Sequence, residues 1–140
     1  YITEGMNQTI KSFNYKQKVV LDIDPDITLN IDRTSFPSII LNLFENAVKY
    51  SPENSTITIG LKKQNENVLL SVADEGVGIL ASEKSTIFQK FYRVGNEDVR
   101  KTKGTGLGLF IVKHIVENHN GIITVKENTP RGSIFEITFG

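Results

Sequence analysis

The stretch SFPSIILNLFENAVKY at residues 35–50 constrains the fold most, because its pattern predicts a helix with one apolar side. The apolar residues recur at helical spacing: Phe36, Ile40, Leu43, Phe44, Ala47 and Val48. Pro37 falls in the first turn, where a helix tolerates proline. A helix of this kind needs a sheet or another helix to cover its apolar side, so the rest of the chain must supply that surface.

Alternating apolar and polar residues predict the strands of such a sheet. VVLDI and ITLNI are predicted to pair across an Asp-Pro-Asp turn, TITIGLK with NVLLSVAD across a polar turn, and GIITVKE with SIFEITF across Thr-Pro-Arg-Gly. Further helices are predicted over the first dozen or so residues, over STIFQKFY, and from GTGLGL to about His119. The predicted fold class is α/β (α+β), a two-layer sandwich with three longer helices on one face of a mixed, mostly antiparallel sheet of about five strands.

The composition indicates one folded domain over residues 1–140. Hydrophobic residues make up 39% and charged residues 23%, as in ordinary globular chains. Sixteen basic side chains balance sixteen acidic ones, which argues against a general nucleic-acid binder. Cysteine is absent, so disulfides and thiolate chemistry are excluded. The sequence opens on Tyr1 and has no apolar run near the roughly 20 residues of a membrane span. We therefore expect an excised domain, with any membrane segment outside it.

Four polar or aromatic residues lie together on the other side of the 35–50 helix. Asn42, Asn46, Lys49 and Tyr50 are spaced i, i+4, i+7 and i+8. They could form an ordinary solvated face. Asparagine, however, is a middling helix former, and two stacked carboxamides beside a lysine and an aromatic ring suit a site for a cation, phosphates and a stacked base.

A second candidate site is DEGVGIL, which follows a predicted strand. Its glycines formally match the dinucleotide fingerprint G-x-G-x-x-G/A, but Asp74 would then aim a carboxylate at the pyrophosphate and no second βα unit follows. Asp74 is better suited to accept a hydrogen bond from an exocyclic amine, while the glycines let a flat ring approach the backbone. A plain hairpin end is the alternative interpretation.

Two other motifs are excluded by their residues. Asp22, Asp24 and Asp26 begin like a calcium-binding loop, yet Ile27 stands where glycine is required and Arg33 where the closing glutamate belongs. No G-x-x-x-x-G-K-[ST] phosphate loop occurs.

The glycine-rich GTGLGL precedes a predicted helix, and helix N-termini favour phosphate. Taken alone it could equally be a flexible hinge, because glycine is permissive in any loop. Its place after the carboxamide helix and the strand–DxGxG segment makes it the third member of an ordered set.

The ordered set NLFENAVKYS, DEGVGI, IFQKFYRV and GTGLGL resembles the four boxes of the catalytic, ATP-binding domain of sensor histidine kinases. That domain has the Bergerat fold and belongs to the superfamily shared with DNA gyrase, the Hsp90 chaperones and the MutL repair proteins. The resemblance covers essentially the whole chain from the strands near Val19, including Gly132-Ser133-Ile134-Phe135 as the G-[ST]-x-F motif.

The resemblance implies a role for each matching residue. Asn46 would coordinate Mg²⁺ at the phosphates of ATP with help from Asn42, and Lys49 would lie near a phosphate. Tyr50 would stack on adenine, and Asp74 would accept a hydrogen bond from its amino group. The remaining nucleotide-binding positions implied by the resemblance are Gly76, Gly78, Ile79, Tyr92, Gly104, Thr105, Gly106, Leu107, Gly108, Leu109 and Ser133.

Lys90, Tyr92 and Arg93 would belong to a mobile lid, whose residues 93–103 would close over the phosphates. Lys90 and Arg93 would act in catalysis together with Asn42 and Lys49. The charged stretch RVGNEDVRKTK, with almost no apolar residue, favours a mobile loop there. One departure from the family is Asn120, which stands where the family often has a glycine. We expect that position to be structural.

Asn42 also bears on the reaction. ATP-hydrolysing members of the superfamily usually carry a water-activating glutamate at this position, and an amide cannot take that proton. Glu45 points about 60° away on the helix, from 100° per residue. Transfer of the γ-phosphate to a protein histidine is therefore favoured over hydrolysis.

His114 and His119 are poor acceptors, because neither is followed by the acidic residue that family acceptors carry. We expect the acceptor on a separate dimerisation domain of a homodimeric protein, with a response regulator as the second partner. The expected location is cytoplasmic, with membrane attachment only through segments outside this chain. The alternatives are a nucleotide-binding regulator or pseudokinase, or a serine kinase of the anti-sigma type.

Overall fold

The computed structural model describes residues 15–24, 27, 31, 34–76, 78, 108–129 and 131–139. This part of the chain forms five strands and two helices. In chain order they are β1 (Lys18–Ile23), α1 (Ser35–Tyr50), β2 (Thr56–Gln64), β3 (Asn67–Ala73), α2 (Gly108–Asn118), β4 (Ile122–Glu127) and β5 (Ser133–Phe139).

The strands form one sheet in the order β1-β2-β3-β5-β4. β1 runs parallel to β2, and every other neighbouring pair is antiparallel. Val72 of β3 lies opposite Ile59 on one side and Phe135 on the other, so the register aligns apolar residues across the central strands. The predicted mixed, mostly antiparallel five-stranded sheet is confirmed, as is the pairing of β2 with β3 and of β4 with β5.

The core lies between one face of the sheet and the helices. Every second residue of the central strands is buried there, because successive side chains of a strand point to opposite faces. The strands contribute Ile57, Ile59, Leu61, Leu70, Val72, Phe135, Ile137 and Phe139, and the helices contribute Ile39, Ile40, Leu43, Phe44, Ala47, Val112 and Val116. Each fully buried large apolar side chain contributes about 1.5–3 kcal/mol, so α1 and α2 are held firmly against the sheet.

Some predicted elements differ from the structure or lie outside the part it describes. The predicted pairing of ITLNI with β1 is not observed: Ile27 and Ile31 lie in no strand, residues 28–30 are outside the described part, and β1 pairs instead with β2. The predicted helices in residues 1–14 and over STIFQKFY also lie outside it. The predicted helix from GTGLGL to about His119 is described from Gly108 onward, as α2.

Asn120 has the structural role that its sequence position predicts. It follows α2 with a φ of +60°, in the left-handed region. The turn is closed by the N–H of Asn120, which donates to the Glu117 carbonyl, and by the N–H of Gly121, which donates to the Val116 carbonyl at 2.9 Å. Asparagine tolerates this conformation better than most residues, and glycine tolerates it best.

Asn120→Ala should therefore destabilise the chain by about 1 kcal/mol, because the left-handed region costs an ordinary L-residue roughly 1–2 kcal/mol. Asn120→Gly should be no less stable than Asn120→Ala. Urea unfolding followed by circular dichroism measures both. Asn118→Ala, the same change at an exposed position inside α2, is the matched control. Equal losses at positions 118 and 120 would show that backbone conformation is not the cause.

Candidate functional site

The polar side of α1 is half-buried rather than fully solvated. Asn42, Asn46, Lys49 and Tyr50 are all of intermediate exposure, whereas the exposed ridge of the helix includes Leu41 and Glu45. The helix thus carries core residues on one side and the predicted site residues along a flank that neighbouring segments partly cover. This arrangement favours a site over an ordinary solvated face.

Asn42 meets the start of α2. Its side-chain Nδ2 donates to the Ser38 carbonyl at 2.8 Å, which turns the amide oxygen Oδ1 away from the helix. A Cβ on Gly108 would lie only 3.2 Å from that Oδ1. A side chain at position 108 would therefore press on Asn42, and the structure brings together two residues that the sequence assigned to the phosphate end of the site.

The C-terminal end of α1 is held by Gln17, which the sequence analysis missed. Gln17 is buried, and its Nε2 donates to the carbonyls of Val48 at 3.1 Å and Ser51 at 2.9 Å. These carbonyls would otherwise lack helical partners. The two hydrogen bonds hold the last turn of α1, which carries Lys49 and Tyr50. No local pattern signals such a contact, because the partners are 31 and 34 residues apart.

Asp74 is a buried carboxylate held by backbone amides. It follows β3 and is 4% exposed. Its Oδ1 accepts hydrogen bonds from the N–H groups of Gly76 at 2.9 Å and Ser133 at 3.2 Å. Its own N–H donates to the Ser133 carbonyl at 2.9 Å. The hydrogen bonds to Oδ1 therefore orient the carboxylate, and Oδ2 is the oxygen suited to accept a hydrogen bond from a ligand.

Burial raises the pKa of Asp74 above its ordinary value of 3.8, and the hydrogen bonds from Gly76 and Ser133 oppose that rise only in part. Burying a carboxylate costs free energy of folding, and proteins commonly retain such a group at a functional site. This property marks Asp74 as a functional-site candidate on physical grounds.

Glycines let the Asp74 loop, defined as residues 74–76 and 78, pack tightly against its neighbours. A Cβ on Gly76 would collide with the Tyr50 carbonyl, and one on Gly132 would collide with the Asp74 carbonyl. Gly78 and Gly132 also have positive φ, at +77° and +106°. The loop therefore lies directly on the end of α1 that carries Tyr50, so the base-binding residues predicted from two separate motifs come together.

The two ends of the site are separated along one helix. Asn42 and Tyr50 are eight residues apart, which is about 12 Å at 1.5 Å per residue. Gly76, in the Asp74 loop, lies against the Tyr50 carbonyl, and Gly108 lies beside Asn42. The arrangement suits an elongated ligand with a hydrogen-bond donor at one end and negative charge at the other.

Several predicted site residues lie outside the described part of the chain. These are Ile79, Lys90, Tyr92, Arg93, Gly104, Thr105, Gly106 and Leu107. Leu109 is described, and its side chain packs against the core. Any contact it makes with a ligand would therefore come from its backbone. Ser133 acts on Asp74 through its backbone N–H and carbonyl.

Metal and membrane features can be judged only for the described residues. Within them, no group of three or more His, Cys, Asp or Glu side chains is placed to hold a metal ion. Asp22 and Asp24, which begin the rejected calcium-loop pattern, share the ammonium of Lys62 at 2.6 and 3.3 Å. Neither described helix has the length and apolar character needed to cross a bilayer.

Comparison with known proteins identifies the family. Residues 31–140 match the family described as histidine kinase-, DNA gyrase B-, and HSP90-like ATPases, and the chain belongs to it. The sensor protein CiaH of Streptococcus pneumoniae is 40% identical over 110 residues, which are 79% of this chain and 25% of that protein. The signal transduction histidine-protein kinase ArlS of Staphylococcus haemolyticus is 35% identical over 143 residues, covering 99% of this chain and 31% of that protein.

Solved structures agree with this assignment. The catalytic domain of the histidine kinase ThkA superposes with a TM-score of 0.83 at 28% identity, covering 99% of this chain and 92% of that one. The mycobacterial sensor histidine kinase MprB gives a TM-score of 0.82 at 25% identity, covering 99% and 93%. The resemblance to the catalytic, ATP-binding domain of sensor histidine kinases is confirmed. The chain spans about a quarter to a third of the length of the two curated relatives.

The buried Asp74 carboxylate predicts an unusual dependence of stability on pH. Because its pKa is raised by folding, the folded chain gains a proton before the unfolded chain does as the pH falls. Below the pKa that Asp74 has in the unfolded chain, the group is protonated in both states and its contribution to the free energy of unfolding is fully present. That contribution is lost as the pH rises through the higher pKa of the folded chain. Without nucleotide, Asp74→Asn should therefore melt higher than the wild type at pH 8.

The difference in melting temperature should narrow as the pH is lowered toward 3.8. Scanning calorimetry at a series of pH values measures it. Glu117→Gln, at an exposed position on α2, controls for the loss of one negative charge. A variant that melts lower than the wild type at pH 8, or a gap that widens on acidification, would contradict the assigned cause.

Proposed function

We propose that this chain binds Mg-ATP and donates the γ-phosphate to a histidine on a separate dimerisation domain of a sensor histidine kinase. The observation that carries the proposal is the placement of Gly76, in the Asp74 loop, against Tyr50 at the end of α1, and of Gly108 against Asn42, eight residues earlier on the same helix. The family match and the relatives named as sensor kinases support it.

The base end of the site is suited to adenine. Asp74 offers an acceptor oxygen with its other oxygen held by two amides. The exocyclic amine of adenine donates a hydrogen bond, whereas guanine presents a carbonyl oxygen at the corresponding position. A buried acceptor left facing another acceptor loses its hydrogen bond and remains desolvated, so the site should discriminate strongly against guanine. Tyr50 would supply the stacking surface.

The phosphate end is suited to an anion and a hard cation. α2 is 11 residues long and begins at Gly108, where a helix N-terminus favours negative charge. Asn46 and Asn42 offer amide oxygens, which Mg²⁺ accepts, and this ion usually takes only one or two protein ligands with phosphates and waters completing its shell. Mg²⁺ bound there would neutralise phosphate charge.

The residues near the phosphate end favour transfer over hydrolysis. Asn42 lies where a water-activating base would be needed, and its amide is neutral and cannot accept a proton. Glu45 is the nearest carboxylate along α1, but it is exposed and points to a different side of the helix. Catalysis would therefore rest on positioning and charge stabilisation, as is usual for phosphoryl transfer.

Neither described histidine is suited to be the acceptor. His119 holds its Nδ1 2.8 Å from the Ile115 carbonyl at the end of α2. His114 is exposed and stacks on Phe110 with ring centroids 6.4 Å apart. An acceptor on another domain must approach the γ-phosphate. The exposed apolar side chains of Leu41, next to Asn42 on α1, and of Phe110 and Ile111, in the first turn of α2, offer a surface for that domain to cover.

We place this activity in the cytoplasm, where ATP is available, with membrane attachment only through segments outside this chain. A response regulator would take the phosphoryl group from the acceptor histidine.

Supplied with [γ-³²P]ATP and Mg²⁺, the 140-residue chain alone should neither label itself nor release phosphate at a useful rate. Added in trans to the dimerisation domain of its own full-length protein, it should label that domain. The label should be acid-labile and base-stable, as expected for phosphohistidine. Replacing the acceptor histidine by glutamine is the control and should abolish labelling.

Rapid release of phosphate by the isolated chain would move it to the ATPase branch of the family. A base-labile or acid-stable label would instead point to a serine or aspartate acceptor.

Asn46→Ala should weaken Mg-ATP binding by about tenfold while leaving metal-free ATP binding nearly unchanged, because it removes an oxygen ligand of the bound ion. Titration calorimetry with Mg²⁺ and with EDTA separates the two contributions. Glu45→Ala, at the exposed neighbouring position, is the matched control and should behave as the wild type. Full Mg²⁺ dependence in Asn46→Ala would place the metal elsewhere.

A further inference from the structure

In the turn between β4 and β5, two side chains outside the four family boxes donate hydrogen bonds to backbone carbonyls of the Asp74 loop. Asn128 Nδ2 donates to the Asp74 carbonyl at 2.8 Å. Arg131 Nε donates to the Gly76 carbonyl at 3.0 Å. The two accepting carbonyls belong to the residue that carries the proposed base-reading carboxylate and to the second residue after it.

Hydrogen bonds within the turn direct the Asn128 donor toward Asp74. The N–H of Asn128 donates to the Gly132 carbonyl at 3.1 Å, which closes the turn. Asn128 Oδ1 accepts from the N–H of Thr129 at 2.9 Å, so its Nδ2 must face the other way, toward Asp74. Gly132 packs so closely on the Asp74 carbonyl that no side chain would fit between them.

Backbone contacts complete the attachment. Asp74 exchanges hydrogen bonds with Ser133 through its N–H and its Oδ1. Glu75, between the two gripped carbonyls, accepts the N–H of Thr56 at 2.6 Å on its Oε1. The loop is thus fixed on the β2 side and on the β5 side. Of these contacts, only those from Asn128 and Arg131 depend on side chains of the turn.

We propose that Asn128 and Arg131 are positioning residues that set the direction of the Asp74 carboxylate and thereby the preference for adenine over guanine. This inference rests on the proposed function. Holding the carbonyls of Asp74 and Gly76 restrains the backbone on the C-terminal side of the Asp74 side chain, while the hydrogen bond from the Asp74 N–H to Ser133 restrains it on the N-terminal side. A hydrogen bond weakens steeply when its angle falls, so a carboxylate that can rock would accept the adenine amine less well and reject guanine less strictly.

The test measures dissociation constants of Mg-ATP and Mg-GTP by titration calorimetry and compares their ratio among variants. Asn128→Asp keeps the acceptor for Thr129 and replaces the donor to Asp74 by a carboxylate oxygen, whose added charge acts on Mg-ATP and Mg-GTP alike. Arg131→Ala removes the second donor at an exposed position that should not impair folding. Arg131→Lys keeps a positively charged donor. Thr129→Ala, an exposed side chain in the same turn, is the matched control.

The ATP:GTP preference should fall about threefold to tenfold in Asn128→Asp and in Arg131→Ala, the change expected from one hydrogen bond. Arg131→Lys should recover part of it, and Thr129→Ala should match the wild type. In an Asp74→Asn background, either turn variant should leave the ratio unchanged, because contacts that act through Asp74 have nothing left to orient.

Parallel loss of ATP and GTP affinity at a constant ratio would overturn the inference, since a merely structural turn would act that way. A change in ratio that persists in the Asp74→Asn background would overturn it too. If the wild type shows no preference for ATP, the proposed base recognition fails as well. If the wild type prefers ATP and Asp74→Asn abolishes that preference while the turn variants do not alter it, only the positioning role is refuted.

Discussion

The packing of α1 on the sheet is the interaction on which both the core and the site depend. Five side chains of this helix are buried, and together with the strands they make the centre of the core. Because a helix is rigid over its length, this packing also sets the position of Asn42, Asn46, Lys49 and Tyr50 on its flank. A shift of one residue in the packing register of α1 would rotate its side chains by about 100°, which would displace both the core residues and the site residues. Fold and function therefore share one structural requirement.

The Asp74 loop shows the opposite relation between stability and function. A carboxylate buried at the end of β3 does not help the chain to fold, since burial raises its pKa and two amide hydrogen bonds compensate only in part. The surrounding structure tolerates it because glycines allow close packing and because residues from β2 and the β4–β5 turn hold the loop. Such local costs, carried by an otherwise well-packed fold, are common at binding sites.

The site as described is equipped to bind and orient rather than to complete a reaction alone. In the proposed site, Asn42 would stand where hydrolysis needs a base. Of the described histidines, His119 contacts a carbonyl of α2 and His114 is exposed on that helix. The catalytic power of the proposed transfer would come from a second domain that brings the acceptor to the phosphate end. The exposed apolar residues near that end are consistent with such a partner.

The sequence by itself determined the class of fold, the central helix and the key motif residues, because these depend on local periodicity and on residue types with few alternatives. The apolar spacing of 35–50 predicted α1, and alternation predicted β2 to β5. Asp74, Gly108 and Asn120 could be singled out from motifs and backbone needs. Only the tertiary structure decided that β1 pairs with β2, and that Gln17, Asn128 and Arg131 hold the backbone at the end of α1 and in the Asp74 loop. Those contacts join residues 31 to 55 positions apart through hydrogen bonds to backbone carbonyls. Every residue has such a carbonyl, so no pattern of side chains along the chain can reveal which one is used.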